Sequence, residues 1–173
     1  MEILFVHGAG GYLDDQPLSV HLHETLGVPV AFPEFPEEDM SAAAWRNGIQ
    51  RQLDVLGPGV VLVGHSFGAS MALQHLASGP EGVQPLGLVL LAMPFWGLEG
   101  WQAEYALPGD AVLPADLPVR LHHCLDDEVV PVDHLDRHAA RLPEALVRRH
   151  NSGGHQFEGR MPAVADDVAA LLR

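Results

Sequence analysis

The most constraining stretch of the 173-residue chain runs from Val60 to Leu76. Val60-Val61-Leu62-Val63 is uniformly apolar and mostly β-branched, the pattern of a strand covered on both faces in a parallel sheet. It passes without a spacer into Gly64-His65-Ser66-Phe67-Gly68, after which Ala69–Leu76 reads as a helix. A serine at so sharp a strand-to-helix turn takes a strained backbone conformation that lifts its Oγ clear of the sheet. Side chains two residues to either side would collide, so Gly occupies both places. The competing reading is a Gly-rich turn in which Ser66 merely caps the helix.

The rest of the chain repeats this alternation. Ile3–Val6, Val28–Phe32, Leu86–Leu91, Val119–Cys124 and Ala145–Arg149 read as further strands. Pro17–Leu26, Ser41–Leu56, Asp133–Leu142 and Pro162–Leu172 read as helices. Ser41 is a candidate N-cap, with Trp45, Ile49, Leu53 and Leu56 at helical spacing behind it. Apolar residues make up 47% of the chain, enough to build one core and to exclude intrinsic disorder. Alternating β and α elements predict an α/β fold: a three-layer α/β/α sandwich with a mostly parallel sheet, one domain over residues 1–173. Residues 92–117 break the rhythm with several Pro and Gly residues and form a long connection, of the kind that serves as a lid or pocket wall. Its aromatic residues Phe95, Trp96, Trp101 and Tyr105 are candidate substrate contacts. Alternatively, they fold the loop onto the sheet edge.

A serine hydroxyl is a poor nucleophile until a base takes its proton. His155 follows Gly153-Gly154, after the last short strand and before the last helix, where a flexible loop can bring an imidazole to the turn. His150 is the runner-up, but it stands at the end of a predicted strand. The acid that orients the base is expected after the strand Val119–Cys124, where Asp126, Asp127 and Glu128 compete. Asp127 is preferred, because Asp127-Glu128-Val129-Val130-Pro131 fits D-x-x-V-P. An oxyanion hole requires two backbone N–H groups. Phe67, just after the nucleophile, is the first candidate, and Ala9 in the loop His7-Gly8-Ala9-Gly10 the second, with Gly10 behind it. That loop is not a dinucleotide-binding G-x-G-x-x-G, since position 13 is Leu13. Activity is expected to rise as His155 loses its proton, near the ordinary histidine value of ~6.5.

The net charge is −14, and all nine cations are Arg. Such a chain repels phosphate backbones, so no nucleic-acid partner is expected. Without Lys, neither a lysine Schiff base nor a Walker-type lysine is available. The single Cys124 allows no internal disulfide and no cysteine-based zinc site. No apolar run approaches the ~18 residues of a membrane span, so no membrane partner is expected. Met1–Val6 lacks the basic start and cleavage site of a signal peptide, and a cytoplasmic location follows as the expectation. His134 and His138 stand four apart on a predicted helix, but no Glu follows His134, so the metal pattern fails and a solvated face is expected. His65, inside the turn, is expected to point away from Ser66.

Taken together, these residues resemble the α/β-hydrolase superfamily, and most of all the small serine hydrolases typified by retinoblastoma-binding protein nine and its bacterial relatives. The resemblance rests on the His7-Gly8 loop, the GHSFG turn, Asp127 with Val130-Pro131, and Gly154-His155-Gln156-Phe157. These elements span nearly the whole chain in the family's order. The resemblance implies a minimal α/β-hydrolase fold and a serine hydrolase of the carboxylesterase type. It would act on small acyl esters or thioesters through a Ser66–Asp127–His155 triad, with no metal and no cofactor. Two features depart from the family. The antiparallel strands that usually come before the oxyanion loop are missing, and Cys124 stands where many relatives have Gly. Two other readings remain open at this level: a non-catalytic binding protein on a hydrolase fold, and a perhydrolase or acyltransferase using the same triad.

Overall fold

A computed structural model describes residues 1–97 and 101–173. Six strands form one sheet: β1 (Glu2–Val6), β2 (Val30–Ala31), β3 (Val60–His65), β4 (Gly87–Leu91), β5 (Val119–Cys124) and β6 (Leu146–His150). The helices are α1 (Gln16–Leu26), α2 (Ala42–Leu56), α3 (Phe67–Ala77), α4 (Asp133–Arg141) and α5 (Met161–Leu171). The spatial order is β2-β1-β3-β4-β5-β6, and every pair is parallel.

Parallel strands need crossovers, and the helices that make them cover both faces. Side chains alternate accordingly. On β1 and β3, Leu4, Val6, Val60 and Leu62 face the layer that holds Trp45, Ile49, Met71 and Leu135 from α2, α3 and α4. Ile3, Phe5, Val61 and Val63 face the opposite layer, with Leu18, Leu22, Val164 and Val168 from α1 and α5. These alternating faces make the three-layer sandwich. The chain leaves β1 toward β2 and returns across it to β3, so the winding direction reverses between β1 and β3. In open α/β sheets, ligands bind beyond the carboxyl ends of the strands at such a switch point. Here those ends are His7-Gly8 and Ser66.

Element ends differ little from expectation, with one exception. Only Val30 and Ala31 of the expected strand Val28–Phe32 pair with β1. Pro29 and Pro33 have no N–H to give a ladder, and this is the sheet's edge. Ser41 does cap α2, its Oγ accepting from Ala44 N–H at 3.2 Å. In the 92–117 segment, residues 98–100 lie outside the described residues. Elsewhere in it, Tyr105 and Trp96 pack edge-on against Phe67, at 4.9 and 5.8 Å between ring centroids. No helix among the described residues is long and apolar enough to cross a membrane.

Several histidines are buried in this framework, and they set its acid stability. Burial, reinforced by the Arg46 charge, pushes the His75 imidazole down to about 4. Burial likewise pushes His138 to about 4, against the help of its bond to the Pro94 carbonyl. His150 is also pushed to about 4, by burial and the neighbouring His122. An unfolded chain takes up protons at these positions near ~6.5, whereas the folded chain does not until about pH 4. Between those values the unfolded state binds more protons, so stability falls as pH falls. The loss by pH 4 is expected to be on the order of 3 kcal/mol each for His75 and His138. Denaturant unfolding at pH 7.5, 6, 5 and 4.5 checks this. A flat profile down to pH 5 would contradict it, because the depressed carboxylates Asp15, Asp127 and Asp167 act only below ~3.9.

Candidate active site

Ser66 occupies the turn between β3 and α3 with φ 52° and ψ −120°, a conformation that non-glycine residues rarely hold. The turn is locked from below, Ser66 N–H donating to Leu91 O on β4 at 2.8 Å. Gly64 and Gly68 make the approach. A Cβ on Gly64 would stand 2.6 Å from Ala69 Cα, and one on Gly68 would stand 2.3 Å from the His7 carbonyl oxygen. The Gly8 loop also comes close, and a Cβ there would meet Ser66 Cβ at 3.3 Å.

The loop after β5 and the loop after β6 meet beside this turn. His155 Nδ1–H donates to both oxygens of Asp127, at 2.9 and 3.1 Å. Asp127 Oδ1 also accepts from Val129 N–H and Val130 N–H at 2.8 and 2.9 Å. Burial works to raise the Asp127 pKa, but the His155 hydrogen bond, the two amides and the histidine charge together hold the carboxyl below its ordinary value. The proton on Nδ1 leaves Nε2 as the ring's acceptor. Asp126 acts on the loop and not on the ring. Its carboxylate accepts from Gly153 N–H and Gly154 N–H at 3.2 and 2.9 Å, tying down the loop that carries His155. His123 backs the acid loop, donating from Nε2 to Val130 O at 2.8 Å.

Ser66 and His155 line one cavity of about 310 Å³, together with Ala9, Phe67, Trp96, Trp101 and Val130. Among the described residues no hydrogen bond joins Ser66 Oγ to His155, an ordinary state for a site without substrate. The amides of Ala9 and Phe67 have no partner among the described residues and remain free to donate. Of the four expected pocket aromatics, the cavity takes in Trp96 and Trp101. Phe95 and Tyr105 line an adjacent recess with Ser70, Gln74 and His138 instead.

Other histidines depart from expectation. His134 and His138 do not form a solvated face: they are 3% and 6% exposed. His134 Nδ1 accepts from Phe95 N–H at 2.9 Å, and His138 Nε2–H donates to Pro94 O at 3.1 Å. They satisfy irregular backbone beside the cavity, which a buried loop cannot leave unpaired. Sequence patterns also do not single out Asp15, which is buried under the Gly8 loop. Its signal is weak: a carboxylate just before a helix reads as a cap. Among the described residues, no three metal-type side chains converge.

No protein-family model and no curated protein matches the sequence. Solved structures do. MGS-MChE2, an α/β hydrolase enzyme from the metagenome of lagoon sediments of Mar Chica, Morocco, superposes with a TM-score of 0.78 at 19% identity, over 98% of this chain and 89% of its own. Mouse alpha/beta hydrolase domain-containing protein 10 gives 0.73 at 20% identity, over 99% and 89%. SOBER1 of Arabidopsis thaliana gives 0.71 at 15% identity, over 100% and 99%. With its parallel six-stranded sheet, its helices on both faces and these neighbours, the chain has the fold of the α/β-hydrolase superfamily.

Proposed function

We propose that this chain is a serine hydrolase that cleaves small acyl esters or thioesters through an acyl-enzyme on Ser66. One observation carries the reading: the buried Asp127 holds His155 by Nδ1, which leaves Nε2 as the free acceptor on a ring that lines the same cavity as the strained Ser66. His155 takes the Oγ proton as Oγ bonds to the acyl carbon. The carbonyl oxygen becomes an oxyanion, held by Phe67 N–H and Ala9 N–H. Collapse breaks the bond to the leaving oxygen or sulfur, which departs with the proton from His155. Water then repeats the sequence and releases the acid. The cavity suits a short or slender acyl group, with Trp96 and Trp101 as its apolar wall. Among the described residues Asp14 lines it and no arginine does, which favours neutral substrates over those bearing carboxylate or phosphate near the ester.

Intact mass after treatment with a fluorophosphonate tests the reading. One adduct is expected on the wild type, and none on Ser66→Ala or His155→Ala. A folded wild type that takes no adduct would sink it and favour a binding protein. A panel of neutral and anionic esters of graded length then ranks substrates.

A further inference from the structure

The mechanism uses the His155–Asp127 pair, and a separate buried histidine–aspartate pair stands beside it. Asp15 and His65 are each 1% exposed, and Asp15 Oδ2 lies 2.8 Å from His65 Nδ1. The same oxygen accepts from Gly8 N–H at 2.8 Å, and Oδ1 accepts from Gln156 Nε2 at 3.2 Å. On its other edge, His65 Nε2 lies 2.9 Å from the carbonyl oxygen of His155. Three stretches far apart in sequence therefore meet on this pair: the oxyanion loop, the nucleophile turn and the base loop.

Donor counting assigns the proton. The His155 carbonyl and the Asp15 carboxylate are acceptors only, so both ring nitrogens of His65 must carry hydrogen. The Asp15 carboxyl is held below its ordinary value: burial opposes this, but the bond from His65, its charge, Gly8 N–H and Gln156 prevail. A buried charge persists only when paired and hydrogen-bonded, and here both Asp15 oxygens and both His65 nitrogens have partners. Asp15 also stands at the N-cap position of α1, yet its side chain makes no cap hydrogen bond. Such a bond would stabilise the helix. The carboxylate is turned to the site instead.

We propose that Asp15 and His65 form a buried carboxylate–imidazolium pair that positions the catalytic parts, holding the oxyanion loop through Gly8 N–H and the base loop through the His155 carbonyl. The inference rests on the triad reading above. Neither residue is a catalytic group. The pair sets where Ala9 N–H and the His155 ring stand relative to Ser66, and its effect falls on the transition state.

Two measurements test it. The first needs no activity. Long-range proton–nitrogen NMR of the histidine rings at pH 7.5 should show one buried ring protonated at both nitrogens. That signal should vanish in His65→Gln and turn to a neutral ring in Asp15→Asn. A neutral His65 in the wild type would overturn the pair, whatever the enzyme does. The second is ester turnover per fluorophosphonate-titrated site. Counting active sites removes the effect of lost stability. Asp15→Asn should lower kcat by ~10–100-fold with KM nearly unchanged, the cost of catalytic groups misplaced by about an ångström. The double variant Asp15→Asn/His65→Gln should be no slower than the slower single one. If Asp15→Asn fails to fold, Gln156→Met, which removes only the Nε2 donor, should lower per-site kcat by several-fold in the same way. Unchanged per-site kcat, a loss confined to KM, or multiplying losses in the double variant would each overturn the proposal. A wild type that takes no fluorophosphonate would instead count against the triad reading, and the NMR result would still decide the pair.

Discussion

Asp127→Asn is expected to lower kcat by ~10⁴-fold, the scale of losing the orienting acid of such a triad. The reason is local and geometric. Asp127 Oδ1 is already committed to Val129 N–H and Val130 N–H, and Oδ2 faces His155 Nδ1. An asparagine has one acceptor oxygen, and the two amides claim it. Its NH₂ group must then face the ring and donate to Nδ1. That forces the proton onto Nε2, the nitrogen that should accept from Ser66. The imidazolium formed during attack also loses its compensating charge. Asp126→Asn is the control, because the Asp126 carboxylate accepts from the amides of Gly153 and Gly154 and not from the His155 ring. Losing one such bond is worth ~1 kcal/mol, about fivefold. Steady-state kinetics on one neutral ester compares them. If Asp126→Asn collapses and Asp127→Asn does not, the two carboxylates have been assigned the wrong way round.

That assignment shows what a local pattern can carry. The strained turn at Ser66 and the loops that bring Asp127 and His155 into hydrogen-bond contact are each written in a run of about five residues flanked by a strand. Strand and helix order is legible for the same reason: apolar runs and helical spacing are short-range signals. What is not legible is long-range. Asp15 and His65 are 50 residues apart, and Asp15 and Gln156 are 141 apart. Nothing near Asp15 tells a helix cap from a carboxylate turned inward. The burial of His134 and His138 is hidden in the same way, because their partners are the backbone of Pro94 and Phe95, 39 to 44 residues away. A helical histidine's exposure depends on what the irregular loop above it needs. Of the expected pocket aromatics, Phe95 and Trp96 are neighbours in sequence and share the recess, yet of the two it is Trp96 that also lines the Ser66 cavity. No periodicity governs side-chain direction in a loop without regular structure.

Gly68→Ala is expected to destabilise the protein by about 3–5 kcal/mol, the upper range for single substitutions. Helix propensity alone predicts the opposite sign, since alanine in a helix interior is favoured over glycine by ~1 kcal/mol. The contacts decide. A Cβ on Gly68 would lie 2.3 Å from His7 O and 2.4 Å from Val6 O. Both are backbone atoms at the end of β1, a strand paired on both sides within the sheet, so they cannot swing aside as a side-chain tip would. The helix would have to lift off the sheet, carrying Ser66 and Phe67 with it. Gly79→Ala separates this clash from backbone strain. Its φ is +63°, and an added Cβ there meets nothing within 4 Å, so it should cost only ~1–2 kcal/mol. Denaturant midpoints compare the two variants. Fluorophosphonate labelling of whatever Gly68→Ala remains folded should be slowed as well, because the amide of Phe67 moves with the turn. A Gly68→Ala protein as stable as the wild type would mean that the turn does not sit against β1 at this distance, and the close approach that exposes Ser66 would have to be redrawn.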